Sequence, residues 1–415
     1  MFFRSTTAAA LLLGLAGCAG AAGGNARLET VEASGDGVLR IGLILDNTGE
    51  QSFLNDAQRA AVEAAVKGIN AAGGHKGRPV ELLIGTGDGA GAQARNLVDG
   101  KADVVVGPTD SSHAAAAIDV LSAARTPLIS PANSAAALST YKSGGYYFRT
   151  AATDVAQASV LVKLAKDGGA KNISVVHQDS SYGNDVSAAV TGAATAAGLE
   201  TVSTSAFKPG AAQKAAAAAR AAKPDAVILI ARDDAQGALA ELNNAGLSGG
   251  RLILSDGAFA QYGSGLGSKA LDGARAAVPG VLASAAFQAR LLEVNPGLKD
   301  LSFAAEAYDA VNLAALAAAV AGDDSGRSIA ANLITVSGGT AGGQDAGRPG
   351  KACSSYADCL AVLKTGERVD YDGESGPIAF DPQGDITTAN FMVFTYGADN
   401  KAVLTGREAA GRAAG

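Results

Sequence analysis

The sequence predicts an α/β protein with two lobes around a cleft, each lobe a parallel sheet flanked by helices, joined by a hinge of crossing segments. Strand-like and helix-like segments alternate from residue 38 onward, which is the pattern of βαβ units. A second set of the same kind follows a segment at residues 146–149 that has the character of a crossing. The chain has 415 residues, which is enough for two domains with their own cores.

The first set of elements predicts the first lobe. Its strands are short apolar runs rich in β-branched residues, and the segments between them have helical spacing. The first helix stops at Gly73 and Gly74. The predicted strands are residues 38–46, 79–85, 102–107 and 126–130, and the predicted helices are residues 55–72, 90–100 and 111–124.

The second set predicts the second lobe and repeats the same alternation. Its strands and helices have lengths typical of a parallel sheet with crossover helices. The predicted strands are residues 172–177, 200–207, 225–231, 251–255 and 273–279, and the predicted helices are residues 153–167, 182–197, 210–222 and 235–245.

The last third of the chain is predicted to return to both lobes. A helix at residues 302–321 adds to the first lobe, and strands at residues 376–381 and 390–396 flank a turn. Ligands of open parallel sheets bind beyond the carboxyl ends of the strands, so two facing sheets would hold a ligand between them. The predicted division is 38–148 for the first lobe, 149–279 for the second, 280–382 for the first again, and 383–415 for the second with a C-terminal tail.

The first 18 residues have the features of a secretory signal peptide. A weakly basic start precedes an apolar run at residues 8–15, which is too short to span a bilayer. The run leads into a Leu-Ala-Gly-Cys tetrad that ends at Cys18 and resembles a bacterial lipobox. That resemblance implies cleavage before Cys18, lipidation of its thiol and anchoring to the membrane; the alternative is an ordinary signal peptide with a chance cysteine. Residues 19–37 are small and polar, as in a tether.

Composition and cysteine spacing narrow the class of protein. The net charge of −7 and the absence of a Lys/Arg run argue against nucleic-acid binding. Cys353 and Cys359 are predicted to form a disulfide, since the chain is exported and a zinc site would need two further ligands. The three histidines lie without metal spacing, and no nucleophile elbow or metal-binding helix is present. We therefore expect no enzymatic activity, no cofactor and no bound metal.

Four stretches follow the lipobox in the order residues 68–79, 106–131, 176–183 and 375–385. Together they resemble the leucine/isoleucine/valine-binding protein family, the type I periplasmic solute-binding proteins. The resemblance covers about residues 38 to 400. It implies a monomeric receptor that binds a small amino-acid-like ligand between its lobes and delivers it to the permease of an ABC importer.

The same resemblance assigns residues to the two charged groups of the ligand, its carboxylate and its ammonium. Ser111 and Ser112 open a helix after a strand, where unpaired N–H groups and the helix dipole favour an anion, and Ser111 would hold the ligand's carboxylate. The alternative is that Asp110 and Ser111 cap the helix. Asp256 follows a strand and would meet the ligand's ammonium group; the alternative is a solvated turn aspartate.

Other positions complete the predicted site. Ala132, Asn133 and Ser134 follow the next strand, where backbone groups and a hydroxyl would contact the same head group, although Asn133 could make only a local turn. Tyr182 would reach in from the second lobe. Two aromatic residues, Phe53 and Phe303, would contact the ligand's side chain or would simply pack in the core.

Arg232 departs from the pattern of the resembled family, which carries a tyrosine there. A guanidinium group near the pocket suits a ligand with a second polar or anionic group. The sequence therefore does not determine which side chain the ligand carries. The alternative function is a ligand-sensing or envelope-enzyme-regulating lipoprotein of the same fold, because fold alone does not decide between them. Both alternatives place the chain outside the cytoplasm, anchored to the cell envelope.

Overall fold

The computed structural model describes residues 31–48, 52–339 and 350–411. The predicted signal peptide, Cys18 and the first part of the predicted tether lie outside these residues. Within them, the predicted fold class is confirmed: two separate sheets are each flanked by helices, and the chain passes between the sheets three times, at residues 150–153, 280–284 and 378–387.

The first sheet has five parallel strands in the order β2-β1-β3-β4-β5. All but one of its strands are nearly continuous runs of buried residues, as expected for a sheet covered on both faces. Its strands are β1 (Arg40–Leu43), β2 (Glu81–Ile84), β3 (Val104–Val106), β4 (Leu128–Ser130) and β5 (Tyr147–Arg149), and the helices between them are α1 (Asn55–Ala71), α2 (Ala90–Asp99) and α3 (Ser111–Ala123).

The sequence-based prediction for residues 146–149 was wrong. Residues 146–149 were expected to form a crossing segment, but Tyr147–Arg149 pairs in parallel with β4 and closes the edge of the first sheet. The aromatic side chains of Tyr147 and Phe148 are fully buried. The first crossing therefore begins only after Arg149.

The second sheet begins with five parallel strands, and its connecting helices cover both faces. The order of these strands in the sheet is β10-β9-β8-β6-β7. The strands are β6 (Asn172–Gln178), β7 (Glu200–Phe207), β8 (Ala226–Ile230), β9 (Leu252–Leu254) and β10 (Arg275–Pro279), and the helices are α4 (Asp154–Asp167), α5 (Ser181–Ala197), α6 (Gln213–Ala222) and α7 (Ala235–Asn244).

After the second crossing the chain returns to the first lobe. Helix α9 is buried on nearly all sides and packs against α1 and α10 in the largest core. By length and composition it could cross a membrane, but 83% of that stretch is buried inside the protein, as in the core helix of a folded lobe. The elements of this part are α8 (Ala285–Val294), α9 (Ala304–Ala321), α10 (Gly326–Val336), β11 (Lys351–Cys353), α11 (Tyr356–Lys364), β12 (Val369–Gly373) and β13 (Gly376–Pro377).

The predicted disulfide is confirmed. Cys353 at the end of β11 is bonded to Cys359 in α11, with a Cα–Cα distance of 5.2 Å. Both cysteines are buried, and they contribute to the core of the first lobe. The bond joins the small sheet of β11, β12 and β13 to the helix that packs beside it.

The C-terminal part adds a long hairpin to the second sheet. The strands β14 (Thr388–Tyr396) and β15 (Ala402–Gly411) are antiparallel, and β14 pairs with β10. The sequence predicted only the first of them, because residues 402–411 are rich in alanine, glycine and charged side chains rather than apolar alternation. The hairpin extends the second sheet to seven strands.

A buried ion pair fixes the third crossing against the first sheet. The Arg149 Nε lies 2.6 Å from the Asp385 Oδ1, and the two side chains are 0% and 1% exposed. The Arg149 guanidinium also donates to the Ala135 carbonyl at 2.8 Å and to the Ser139 hydroxyl at 2.6 Å. A single arginine therefore joins the end of β5, the loop after β4 and the turn that leads into β14.

Candidate functional site

The carboxyl ends of the two sheets border a cleft that contains two adjoining cavities. The smaller, here called the small chamber, has a volume of about 260 Å³ and lies between the starts of α3, α4 and α5. Arg232 borders it from the loop after β8. The lining residues are Thr109, Asp110, Ser111, Ser112, Ala132, Ser134, Ala135, Asp154, Ser181, Tyr182, Asp185 and Arg232.

The second cavity, here called the large chamber, has a volume of about 650 Å³ and also borders Arg232. Its walls are mostly apolar, with side chains from the second crossing and from the segment before α9. Phe53 and Phe303 both line it, with Phe53 57% exposed. Asp256 and Glu306 also line it, so its apolar walls carry carboxyl groups.

The start of α3 is capped by an acidic side chain. The Asp110 Oδ1 accepts from the Ser112 N–H at 2.9 Å and from the Ser112 hydroxyl at 2.7 Å. This is the capping alternative raised by the sequence, with Asp110 as the capping residue. Both donors of Ser112 are directed to Asp110 in this structure, and Ser112 borders the small chamber.

Asp46, just after β1, organises the loop that leads into α3. Its Oδ2 accepts from the Thr109 N–H at 2.8 Å and from the Asp110 N–H at 2.9 Å. Its Oδ1 lies 2.7 Å from the His113 Nδ1. Asp46 is 2% exposed, and its role was not predictable from the sequence because it is distant in sequence from the loop that it holds.

Ser111 connects the two loops of the first lobe that border the small chamber. Its hydroxyl oxygen accepts from the Ser134 N–H at 3.2 Å and from the Ala135 N–H at 3.3 Å. Among the described residues its hydroxyl hydrogen has no acceptor, so it can be donated to a bound anion. Ser111, Ser134 and Ala132, all predicted from the sequence, border one cavity.

Asn133 lies elsewhere. Its side chain is fully buried, donates to the Thr109 carbonyl at 3.0 Å and accepts from the Tyr147 hydroxyl at 3.2 Å. It is not among the residues that line either chamber. The amide therefore supports the loop from behind, in keeping with the local role that the sequence left open.

Two carboxyl groups lie where the lobes meet. Asp256 accepts from the Gln157 side chain at 2.7 Å and from the Tyr182 hydroxyl at 2.5 Å, and both bonds go to its Oδ1. Asp154, the first residue of α4, is only 3% exposed. Burial raises the pKa of Asp154 to about 6, and the negative charge of Asp256 acts in the same direction.

Asp154 is a residue of the site that the sequence did not predict. It follows Thr153, whose hydroxyl caps α4 by accepting from the Ala156 N–H at 3.2 Å. In the sequence, an aspartate in the first turn of a helix is fully explained by the helix dipole. Only its burial beside Ser134 and its electrostatic interaction with Asp256, 102 positions away in the sequence, indicate a further role.

Arg232 is held in place by the second lobe. The buried Gln178 side chain accepts from the Arg232 N–H and the Asp233 N–H, each at 2.9 Å. The Arg232 guanidinium lies 3.9 Å from the centroid of the Tyr182 ring. Such a cation–π contact orients the guanidinium across the boundary between the two chambers.

Comparisons with known proteins agree with this architecture. A family model described as "Periplasmic binding protein" matches residues 38–401. The chain is 30% identical over 177 residues to the Leu/Ile/Val-binding protein homolog 3 of Brucella melitensis. This match covers 41% of the chain and 48% of that relative, so it spans about half of the relative's length. The chain is 26% identical over 367 residues to the chemotactic signal transduction system substrate-binding protein BasB of Halobacterium salinarum, covering 85% and 84% of the two chains.

The fold is similar to that of solved structures. The branched-chain amino acid transporter substrate-binding protein LivJ of Streptococcus pneumoniae, solved in complex with isoleucine, superimposes with a TM-score of 0.65 and 22% identity. The match covers 90% of this chain and 99% of that one. At this identity the likeness concerns the fold alone.

Proposed function

The chain belongs to the periplasmic binding protein family, and from that premise we propose that it binds an amino-acid-like ligand in its cleft and delivers it to the permease of an ABC importer. Membership confirms the resemblance read from the sequence. The family consists of extracytoplasmic solute-binding proteins rather than enzymes. The ligand, the permease and the lipid anchor are the parts of this proposal that go beyond membership.

The observation that carries the proposal is the pair Asp154 and Asp256. Asp154 is buried and Asp256 is partly buried, and the charge of Asp256 adds to the cost of ionising Asp154, so the pair favours a cationic partner. The charges of Arg149 and Arg232 offset only part of this cost. The ammonium group of an amino acid supplies that partner. Gln157 and Tyr182 both bond the Oδ1 of Asp256, and among the described residues nothing donates to its Oδ2, which leaves that oxygen for a ligand.

The carboxylate of the same ligand would bind at the start of α3. Ser111 offers its hydroxyl hydrogen at the start of α3, where the positive end of the helix dipole favours an anion. Arg232 borders the same chamber and adds a positive charge. The Asp110 carboxylate also lies at this helix start, so the hydroxyl of Ser111 is the donor we assign to the ligand.

The names of the similar proteins support this class of ligand. The Brucella melitensis relative is a Leu/Ile/Val-binding protein homolog, and the Streptococcus pneumoniae structure holds isoleucine. The Halobacterium salinarum relative is named for chemotactic signal transduction, which favours the ligand-sensing alternative as the second candidate. Both functions use the same binding step.

Closure of the lobes tests the binding function. We expect an amino acid that binds in the cleft to bring the lobes together about the three crossings and to reduce the radius of gyration. Small-angle X-ray scattering of the ligand-free and ligand-saturated protein measures this change, and the scattering mass tests whether the receptor is a monomer. An unchanged radius with saturating ligand would argue against closure.

The anchor is proposed from Cys18, which lies outside the described residues. We expect the Cys18→Ser variant to leave the membrane fraction and to appear in the soluble fraction of the envelope, because the lipid is attached to that thiol. Immunoblotting of the two fractions measures this change. A variant that stays with the membrane would show that the chain is held there by something other than a lipid on Cys18.

A further inference from the structure

We infer that the ligand carries a second positive charge at the end of its side chain, and that the large chamber receives this charge beside Glu306. The inference rests on the proposed function, because it assumes that the head group of an amino acid occupies the small chamber. It names the class of ligand as an amino acid with a cationic side chain, such as lysine or arginine.

The charge balance of the two chambers is the first observation. Three aspartates line the small chamber, and three aspartates with one glutamate line the large one. Among the described residues that line either chamber, Arg232 is the only cation. A zwitterion with an apolar side chain brings no net charge, so it leaves this excess of carboxyl groups uncompensated. A ligand with one additional positive charge reduces the excess.

The position of Glu306 is the second observation, and it does not depend on the count of charges. Glu306 lies in the first turn of α9, is 7% exposed and borders the large chamber. Its Oε1 lies only 3.1 Å from the place that a Cβ on Gly280 would occupy, so the carboxyl group contacts the second crossing. Its own backbone N–H favours the ionised carboxyl group, and no side chain of the described residues donates a hydrogen bond to it.

The shape of the large chamber suits a long side chain with a charged end. Its volume of about 650 Å³ exceeds what an isobutyl side chain needs and is in the range of whole small-molecule sites. Val281, Leu301 and Phe303 provide apolar walls that would pack against a chain of methylene groups. A terminal ammonium or guanidinium could then meet the carboxyl group, as lysine and arginine do when they bury their stems.

A structural role for Glu306 is the competing explanation. The Thr150 hydroxyl donates to the Glu306 carbonyl at 2.9 Å, so the start of α9 is already tied to the first crossing. That bond involves the backbone and survives replacement of the side chain. The Glu306→Gln variant therefore keeps the volume and the backbone contact while it removes the charge.

The pH dependence of binding adds a second readout. Burial raises the pKa of Glu306 to about 7, with Asp309 on the same helix acting in the same direction. Asp233, Asp256 and Asp300 border the chamber from other segments, and Arg232 is the cation that faces them. A bound cation favours the ionised carboxylate, so affinity for lysine rises from pH 6 to pH 8.

The ratio of the lysine affinity to the norleucine affinity distinguishes the effect of Glu306 from that of the carboxylates proposed to bind the head group. Asp154 titrates in a similar range, because burial raises its pKa to about 6, but it meets the ammonium of every amino acid. Norleucine has a linear apolar side chain without the charge of lysine. The ratio of the lysine and norleucine affinities therefore rises with pH only if a carboxyl group meets the side-chain cation.

Calorimetric titration of the purified protein with L-lysine, L-arginine, L-leucine and L-norleucine tests the inference. We expect the wild type to bind lysine or arginine at least about tenfold more tightly than norleucine. In Glu306→Gln that preference falls about tenfold while the norleucine affinity changes less than about threefold. Glu293→Gln is the control, since Glu293 faces Lys67 on the surface and borders neither chamber, and it leaves the preference unchanged.

Each of the other possible results of the titration would contradict a specific part of the inference. Tight leucine or norleucine binding without a preference for the cationic amino acids would overturn the second charge and leave the proposed function intact. An equal loss for lysine and norleucine in Glu306→Gln would show that the side chain is structural. If none of the four amino acids binds to the folded protein, this inference fails, and the proposed function fails with it only if no other amino acid binds either.

Discussion

The Asp256→Asn variant is expected to lose about 2–5 kcal/mol of binding free energy for an α-amino acid, which is about 30- to 4,000-fold in affinity. The substitution keeps the shape of the side chain and its bonds with Gln157 and Tyr182 nearly intact. It removes the charge that we propose compensates the ligand's ammonium group, and a buried ammonium without a counter-charge is costly. Calorimetric titration of the variant and the wild type measures the difference.

A matched control separates this effect from a general change in net charge. Asp399 lies in the turn between β14 and β15, bonds the Lys401 N–H at 3.1 Å and borders neither chamber. Asp399→Asn is expected to leave the affinity unchanged within about twofold. A loss below about threefold in Asp256→Asn would remove Asp256 from the site.

The Arg149→Met variant is expected to lower the free energy of unfolding by about 3–5 kcal/mol. Methionine fills part of the space but removes the positive charge that faces the buried Asp385 carboxylate. The Ala135 carbonyl and the Ser139 hydroxyl lose the donors at 2.8 Å and 2.6 Å as well. Urea denaturation, followed by circular dichroism, measures the change in stability.

Lys163 provides the exposed counterpart of that pair. Its ammonium contacts Asp167 at 2.5 Å and Glu408 at 3.1 Å, but its side chain is 49% exposed. Because solvent screens such pairs, Lys163→Met is expected to cost less than about 1 kcal/mol. If Arg149→Met cost no more than Lys163→Met, the buried pair would not be what fixes the third crossing.

The alternation of strands and helices was predictable because each buried strand is a short β-branched run between helices. The hairpin strand Ala402–Gly411 was not, since alanine, glycine and charged residues carry no periodic apolar signal there. Helix Ala285–Val294 was also missed, although Ser284 caps it and most of its residues are good helix formers. For the hairpin strand, pairing with β14 decides the local structure.

The predicted site residues were found at strand ends, where the rule for parallel sheets directs attention. The family resemblance assigned Ser111, Ser134 and Asp256. It also singled out Arg232 as a departure from the pattern, and the structure brings all four residues around adjoining cavities. Their contact with a ligand remains a prediction. Asp154 lies at the start of a helix, and its interaction with Asp256 depends on the first crossing, which no spacing in the sequence reveals.

Glu306 and Asp46 are two further residues whose burial could not be predicted from the sequence. In the sequence, Glu306 is one polar residue in an alanine-rich helix, and Asp46 is a strand-end aspartate. The fold buries both, one beside the second crossing and the other beneath the loop that begins α3. The cost of burying a carboxyl group is visible only once its neighbours are known.

The most direct test of recognition by Asp154, Asp256 and Ser111 is calorimetric titration with matched sets of ligands. One set is L-leucine, 4-methylpentanoate and isopentylamine, and the other is L-lysine, 6-aminohexanoate and 1,5-diaminopentane. We expect one-to-one binding of at least one amino acid, with its deaminated and decarboxylated analogues bound at least about 100-fold more weakly. Equal binding of the deaminated acid would contradict the role of the two aspartates, and equal binding of the amine would contradict that of Ser111.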